Sequence, residues 1–128
     1  MGRCIRKFAE LDWITGEGHT AQTADIFRVT GNFRKMEVKI SSVTGNPTVN
    51  VTLSDISDTD FVTELIALST LADGTLHIFH SRSKEYDADK DIDEMFFNLN
   101  DLRISVDPSA DPGGSAQTLT VNVKLYLD

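Results

Sequence analysis

The sequence predicts an all-β fold, an antiparallel β-sandwich or jelly roll of about eight strands, in a single domain covering residues 1–128. Three observations carry this. In Gln117 to Leu127 the residues Leu119, Val121, Val123, Leu125 and Leu127 alternate with Thr118, Thr120, Asn122, Lys124 and Tyr126, a period of two sustained over five apolar positions. The same alternation recurs in short segments along most of the chain, separated by Gly, Pro, Asn and Asp. Convincing helical periodicity is scarce. A sheet that is apolar on one face needs a second layer over it, so two packed sheets follow. At 128 residues the chain is long enough to bury a core without metal or disulfide support.

Taken in order, Ile5 to Ile14 supports two readings. Ile5, Phe8 and Leu11 suit a helical stripe, while Leu11 and Trp13 suit a strand, so residues 1–15 are expected as an N-terminal arm or an edge strand. Gly16-Glu17-Gly18-His19-Thr20 is a turn or loop. Ala24 to Thr30 forms a short strand ended by Gly31-Asn32. Arg34 to Val43 then alternates Met36, Val38 and Ile40 against Glu37, Lys39 and Ser41, and the two segments are expected to pair as a hairpin. After the Gly45-Asn46-Pro47 turn, Thr48 to Ser54 sets Val49, Val51 and Leu53 against Asn50 and Thr52, which extends the hairpin to a meander.

Asp55 to Asp60 is an acidic loop. In Phe61 to Leu71, Phe61, Leu65 and Leu68 could share a helical face, but the β-branched Val62 and Thr63 and the Asp73-Gly74 turn favour a strand, paired in a hairpin with Thr75 to His80. Arg82 to Glu94 is polar throughout and reads as the longest loop. Met95, Phe97 and Leu99 are then expected inward, with the inward phase passing to Leu102, Ile104 and Val106 across Asn100-Asp101. A β-bulge or a corner where the strand changes sheets accounts for that shift. The segments Leu102–Val106 and Gln117–Leu127, joined by a Pro/Gly-rich link, are expected to pair as a hairpin.

Composition narrows the function classes. The net charge is −8, and removing the three positive charges of Arg3, Arg6 and Lys7 leaves a body of −11. Such a body repels phosphate backbones, so nucleic acid is not an expected partner. No apolar run approaches the roughly 20 residues that span a bilayer, and no membrane is expected either. The start has basic residues but no apolar segment or cleavage site of a signal peptide, which points to synthesis in the cytoplasm of the producing cell. Asn50-Val51-Thr52 matches a glycosylation sequon, read here as part of a polar strand face. Cys4 is the only cysteine, which rules out an internal disulfide and a multi-thiolate metal site.

Chemistry-bearing patterns are weak. Asp87, Asp89, Asp91 and Asp93 space carboxylates at alternate residues, but the sixth position of a calcium-loop pattern is Ile92 and the twelfth is Asn98, where Gly and Glu are needed. The acidic loop 85–94 is expected to be solvated, and a looser calcium site in it stays open. His77 and His80 fall on opposite faces of a strand and His19 lies far off in sequence, so neither a metal nor a cofactor is expected. No serine sits in a Gly-x-Ser-x-Gly elbow, and no enzymatic activity is expected. Two binding readings remain. Trp13 and Tyr126 could face outward as platforms for sugar rings, as in a carbohydrate-binding sandwich. The small polar outward residues Ser41, Asn50, Thr52, Ser105, Thr118, Thr120 and Asn122 suit packing against other proteins.

In the stretches Gly45-Asn46-Pro47-Thr48-Val49-Asn50-Val51-Thr52-Leu53, Leu71-Ala72-Asp73-Gly74-Thr75-Leu76 and Gln117 to Leu125, and in its start, the chain resembles the small β-rich virion proteins of tailed bacteriophages, particularly capsid decoration or cement proteins. The resemblance implies a non-enzymatic structural protein of the virion. Such a protein binds the major capsid protein or another virion protein, often as a homo-oligomeric trimer, and reinforces the shell. Tail and neck accessory proteins have the same texture. The partner-binding residues expected on this reading are Arg3, Arg6, Lys7 and Phe8 in the basic arm, together with Trp13 and Tyr126.

Overall fold

The computed structural model describes the backbone of residues 4–80 and 95–128 and the side chains of residues 8–80 and 95–128. It is all-β: β1 (Cys4–Ile14), β2 (Gln22–Ile40), β3 (Thr48–Asp55), β4 (Thr63–Ala72), β5 (Thr75–His80), β6 (Phe96–Pro108) and β7 (Thr118–Leu127). Among the described residues no helix is long and apolar enough to cross a membrane. All pairings are antiparallel. Two sheets share one strand. In sheet I, β7 lies between β1 and the C-terminal half of β2, whose other edge carries β5. In sheet II, the N-terminal half of β2 pairs with β6, followed by β3 and β4.

The predicted inward faces meet in one core. Leu119, Val121, Val123, Leu125 and Leu127 from β7, Met36, Val38 and Ile40 from β2, Val49, Val51 and Leu53 from β3, and Leu102, Ile104 and Val106 from β6 are all buried in it. Burying a side chain of this size contributes about 1.5–3 kcal/mol, and this set is the main source of stability.

The pairing partners differ from expectation in four places. The final two strands do not form a hairpin: β6 pairs with β2 and β3, β7 pairs with β1 and β2, and the two face each other across the core. Their alternation is the same whether they lie side by side or one above the other. The expected hairpin of Ala24–Thr30 with Arg34–Val43 is one bent 19-residue strand, and with it the meander disappears, since β3 joins the sheet opposite the one in which β2 ends. Nor is β4–β5 a hairpin. Asp73-Gly74 is bound to the end of β2, with the Val43 amide donating to Asp73 Oδ2 at 2.9 Å and the Gly74 amide to Ser41 O at 3.1 Å. The chain therefore crosses from sheet II to sheet I at this turn. Residues 4–14 take the edge-strand alternative.

The bend in β2 shows in its burial. Ala24 and Ile26 point inward, then Val29 and Phe33, then Met36, Val38 and Ile40, so the inward phase passes from even to odd and back again. Register shifts lie at both changes, between Ile26 and Val29 and between Phe33 and Lys35. Opposite the first, β6 makes the phase shift expected near Asn100. Phe97 is buried, Leu99 has a φ of 56° and points outward, and Leu102 resumes the inward series.

At the other end of the sandwich, the β2–β3 loop lies on the β6–β7 link. The Gly45 amide donates to Pro112 O at 2.7 Å, and a Cβ on Gly45 would lie 2.7 Å from that same backbone oxygen. Gly45→Ala should therefore lower the unfolding free energy by about 1–3 kcal/mol, the usual cost of overpacking. Urea denaturation of the variant beside the wild-type chain measures the difference.

Candidate functional site: an apolar rim and a basic face

The paired bulges build an unusual surface at one end of sheet II. Arg28 on β2 and Leu99 on β6 both have left-handed backbones, with φ of 58° and 56°, a conformation that costs a non-glycine residue about 1–2 kcal/mol. Side chains hold them there. The Arg28 amide donates to Asp101 Oδ1 at 3.1 Å, the Leu99 amide to Thr30 Oγ1 at 3.0 Å, and the Asn98 amide to Asn100 Oδ1 at 2.6 Å.

The β3–β4 loop attaches to the same place. The Ile56 amide donates to Asp101 O at 2.8 Å and the Asp101 amide to Ser57 Oγ at 2.9 Å. Asp55 joins the loop to the bulge, accepting from the Ser57 amide at 2.9 Å and from Asn100 Nδ2 at 2.7 Å. Burial pushes the Asp55 carboxyl up, but the hydrogen bonds from the Ser57 hydroxyl and amide and from Asn100 outweigh it and leave the group below the usual Asp value of 3.8.

Large apolar side chains on these segments are left in water. Phe27 on β2, Leu99 on β6 and Val62 in the loop are each more than half exposed, and Phe61 is 77% exposed. Phe96, also more than half exposed, lies a few residues before the β6 bulge. Acidic residues stand among them: Asp58, Asp60 and Glu64 are exposed, and Asp101 is half-buried.

The outer face of sheet I has the opposite charge at its centre. Lys35, Glu37 and Lys39 on β2 lie beside Tyr126, Lys124 and Asn122 on β7. The Tyr126 hydroxyl donates to Glu37 Oε1 at 2.9 Å, Lys35 Nζ is 3.2 Å from Glu37 Oε2, and the same ammonium is 4.5 Å from the centre of the Tyr126 ring. Burial raises the Glu37 carboxyl, but the bonds from Tyr126 and Lys35 and the charges of Lys35 and Lys124 hold it below its ordinary range. Next to this network lies a depression of about 390 Å³ lined by Glu37, Lys39, Leu76, Asn122 and Lys124. Leu76 and Ile78 on β5 stand exposed at its side.

Of the residues expected to bind a partner, Arg3 lies outside the described residues. Arg6 and Lys7 are placed by backbone alone, in β1 opposite Leu125 and Lys124. Phe8 and Trp13 are corrections: both are core side chains, Trp13 only 4% exposed with its indole N–H donating to Thr20 O at 2.7 Å. The β1 register turns Trp13 inward opposite Leu119, which removes it as a sugar platform. Tyr126 does face outward, half-buried, with its hydroxyl and ring engaged by Glu37 and Lys35.

The acidic loop 85–94, with its calcium reading, lies outside the described residues. His77 is within 3.0 Å of Ala72 O and His19 within 3.2 Å of Pro108 O. Among the described residues no three His, Cys, Asp or Glu side chains converge as metal ligands would. The rim residues escaped the sequence reading for separate reasons. Phe27 sits on the polar phase of a strand, Phe61 follows an acidic loop, and Leu99 falls on the inward phase of an alternation that hides the extra residue.

No family model matches the sequence, and no curated protein aligns with it. Among solved structures, the chain is similar to a chain of the infectious bursal disease virus VP2 subviral particle, with a TM-score of 0.49 and 11% identity over 98% of this chain and 31% of that one. A chain of the Gx strain of the same virus gives 0.49 and 9%, covering 97% of this chain and 32% of that one. This chain thus spans under a third of those virus chains. A mutant carbohydrate binding module of family 29 gives 0.36 and 14%, covering 98% and 92%.

The Asp55 bonds make the rim sensitive to acid. A carboxyl whose folded value is depressed stabilises the fold above its unfolded value and loses that contribution as pH falls through the folded one. Unfolding free energy should therefore decline below about pH 3.8. Asp55→Ala should lower it by about 1–3 kcal/mol at neutral pH and make the acid limb shallower, as urea titrations between about pH 3 and pH 7 would measure.

Proposed function

We propose that the chain is a non-enzymatic structural protein of a virion, of the capsid decoration or cement type, that works by docking on other protein. The single observation that carries this is the rim. Phe27 and Leu99 at the two bulges, Phe96 shortly before the second, and Phe61 and Val62 on the loop bonded to it are each more than half exposed on a chain of net charge −8, and large apolar side chains left exposed on neighbouring segments mark sites of protein contact. The backbone adds weight. Arg28 and Leu99 keep left-handed conformations that glycine would adopt without strain, and these bulges are what turn Phe27 and Leu99 outward. Strain retained at an exposed apolar surface fits a site kept for recognition. The phage resemblance of the sequence names the partner class, a shell or tail protein, and the virion as the place of action.

The chain should co-sediment in native salt with empty, undecorated shells of the major capsid protein from its own source, and a wild-type chain left in the supernatant would sink the reading. Leu99→Gly separates docking from folding. It relieves the left-handed backbone while adding unfolded-state entropy, so stability should stay within about 1 kcal/mol of wild type, while co-sedimentation falls when it is combined with Phe27→Asp.

A further inference from the structure

The geometry points to a head-to-tail contact between copies of this chain, in which Phe61 of one copy enters the depression on the outer face of sheet I of the next. It rests on the reading of the rim as a docking surface and names the occupant for its loop. Among the described residues Phe61 is the most exposed of the large apolar side chains, at 77%, and its loop carries Asp58 and Asp60. The depression, about 390 Å³, offers the complementary set: Leu76 for the ring, and Lys39 and Lys124 for the carboxylates.

Lysine stems cover an aromatic ring while their ammonium groups stay at the rim of the contact, and an ammonium close to the ring face adds a cation–π attraction. Glu37 does not spoil the match, because Tyr126 and Lys35 already engage its carboxylate. Glu10, exposed on β1 opposite Asn122, borders the depression on its far side, so the attraction is confined to Lys39 and Lys124, and another copy is a partner in which that pair and Leu76 are assured.

The two halves of the contact cannot meet within one molecule. Phe61 leads into β4, an outer strand of sheet II, whereas the depression opens on the outside of sheet I, the opposite layer. A contact between two different surfaces is heterologous, so repeated copies close into a ring or grow as an open chain. In both cases every copy keeps one knob and one socket.

That asymmetry supplies the test. Sedimentation equilibrium of the full chain at low ionic strength should give a mass above the monomer, rising with concentration. It should fall when salt is raised to about 0.5 M, where exposed charges are screened. Phe61→Asp removes the knob, Lys39→Glu with Lys124→Glu reverses the socket, and each should weaken association by about tenfold or more. All three positions are exposed, and circular dichroism checks that the variants stay folded. Mixing the two variants leaves one intact knob facing one intact socket, so a 1:1 dimer that grows no further is expected.

A wild-type chain that is monomeric throughout, a Phe61→Asp chain that associates like wild type, or a variant mixture that stays monomeric would each overturn the contact. A monomeric wild type that still co-sediments with shells through Phe27 and Leu99 would remove the contact and leave the docking reading in place.

Discussion

A strand presents alternate residues to opposite sides, and β2 must obey that rule in two sheets at once. Its first half closes the edge of sheet II and its second half lies in the middle of sheet I. The inward direction changes as the chain passes from one layer to the other, and a period of two cannot follow the change without extra residues. Register shifts in β2, at Ile26/Val29, Val29/Gly31 and Phe33/Lys35, supply them. Between them Val29 and Phe33 plug the corner, with Phe79 tilted against Phe33 at 6.5 Å between ring centres. Because one backbone runs through both layers, neither sheet can shift against the other without breaking this corner.

The surface chemistry follows from the corner. To stay paired across the first shift, β6 makes its own bulge, and that bulge turns Leu99 outward while the one on β2 precedes Arg28 with an exposed Phe27. Asp101, Asn100 and Asp55 then bond the bulges to the β3–β4 loop and so fix where Phe61 and Val62 stand. The side chains that stabilise the fold and those that are left for partners are set by the same few backbone positions. Exposed carboxylates stand near the rim residues, while three lysines, with Glu37 among them, occupy the centre of the sheet I face and Glu10 and Asp12 its β1 side.

Much of the inner surface was legible in the chain. The alternating residues of β3, β7 and the later part of β6 point where their period says, and the phase shift near Asn100 marks a true irregularity. The partners of the strands were not legible. Leu102–Val106 and Gln117–Leu127 have the alternation and the turn-rich link of a hairpin, and Asp73-Gly74 is a common hairpin turn. Yet both connections cross between layers, because hydrogen bonds from the end of β2 and packing at Gly45 draw the turns across. The site was less legible still. A tryptophan next to a basic terminus looks like a contact residue, but pairing of β1 with β7 turns Trp13 into the core, and the residues that do stand in water were masked as ordinary members of strands or loops.

The sequence by itself determined the fold class, the acidic balance and which residues of most strands face inward, since all three depend on local order and composition. The tertiary structure alone decided which strands are neighbours, where β2 changes layers and which large apolar residues remain uncovered. Those depend on where distant segments meet. A period of two says that a residue points to one side of its strand and carries nothing about what lies on that side.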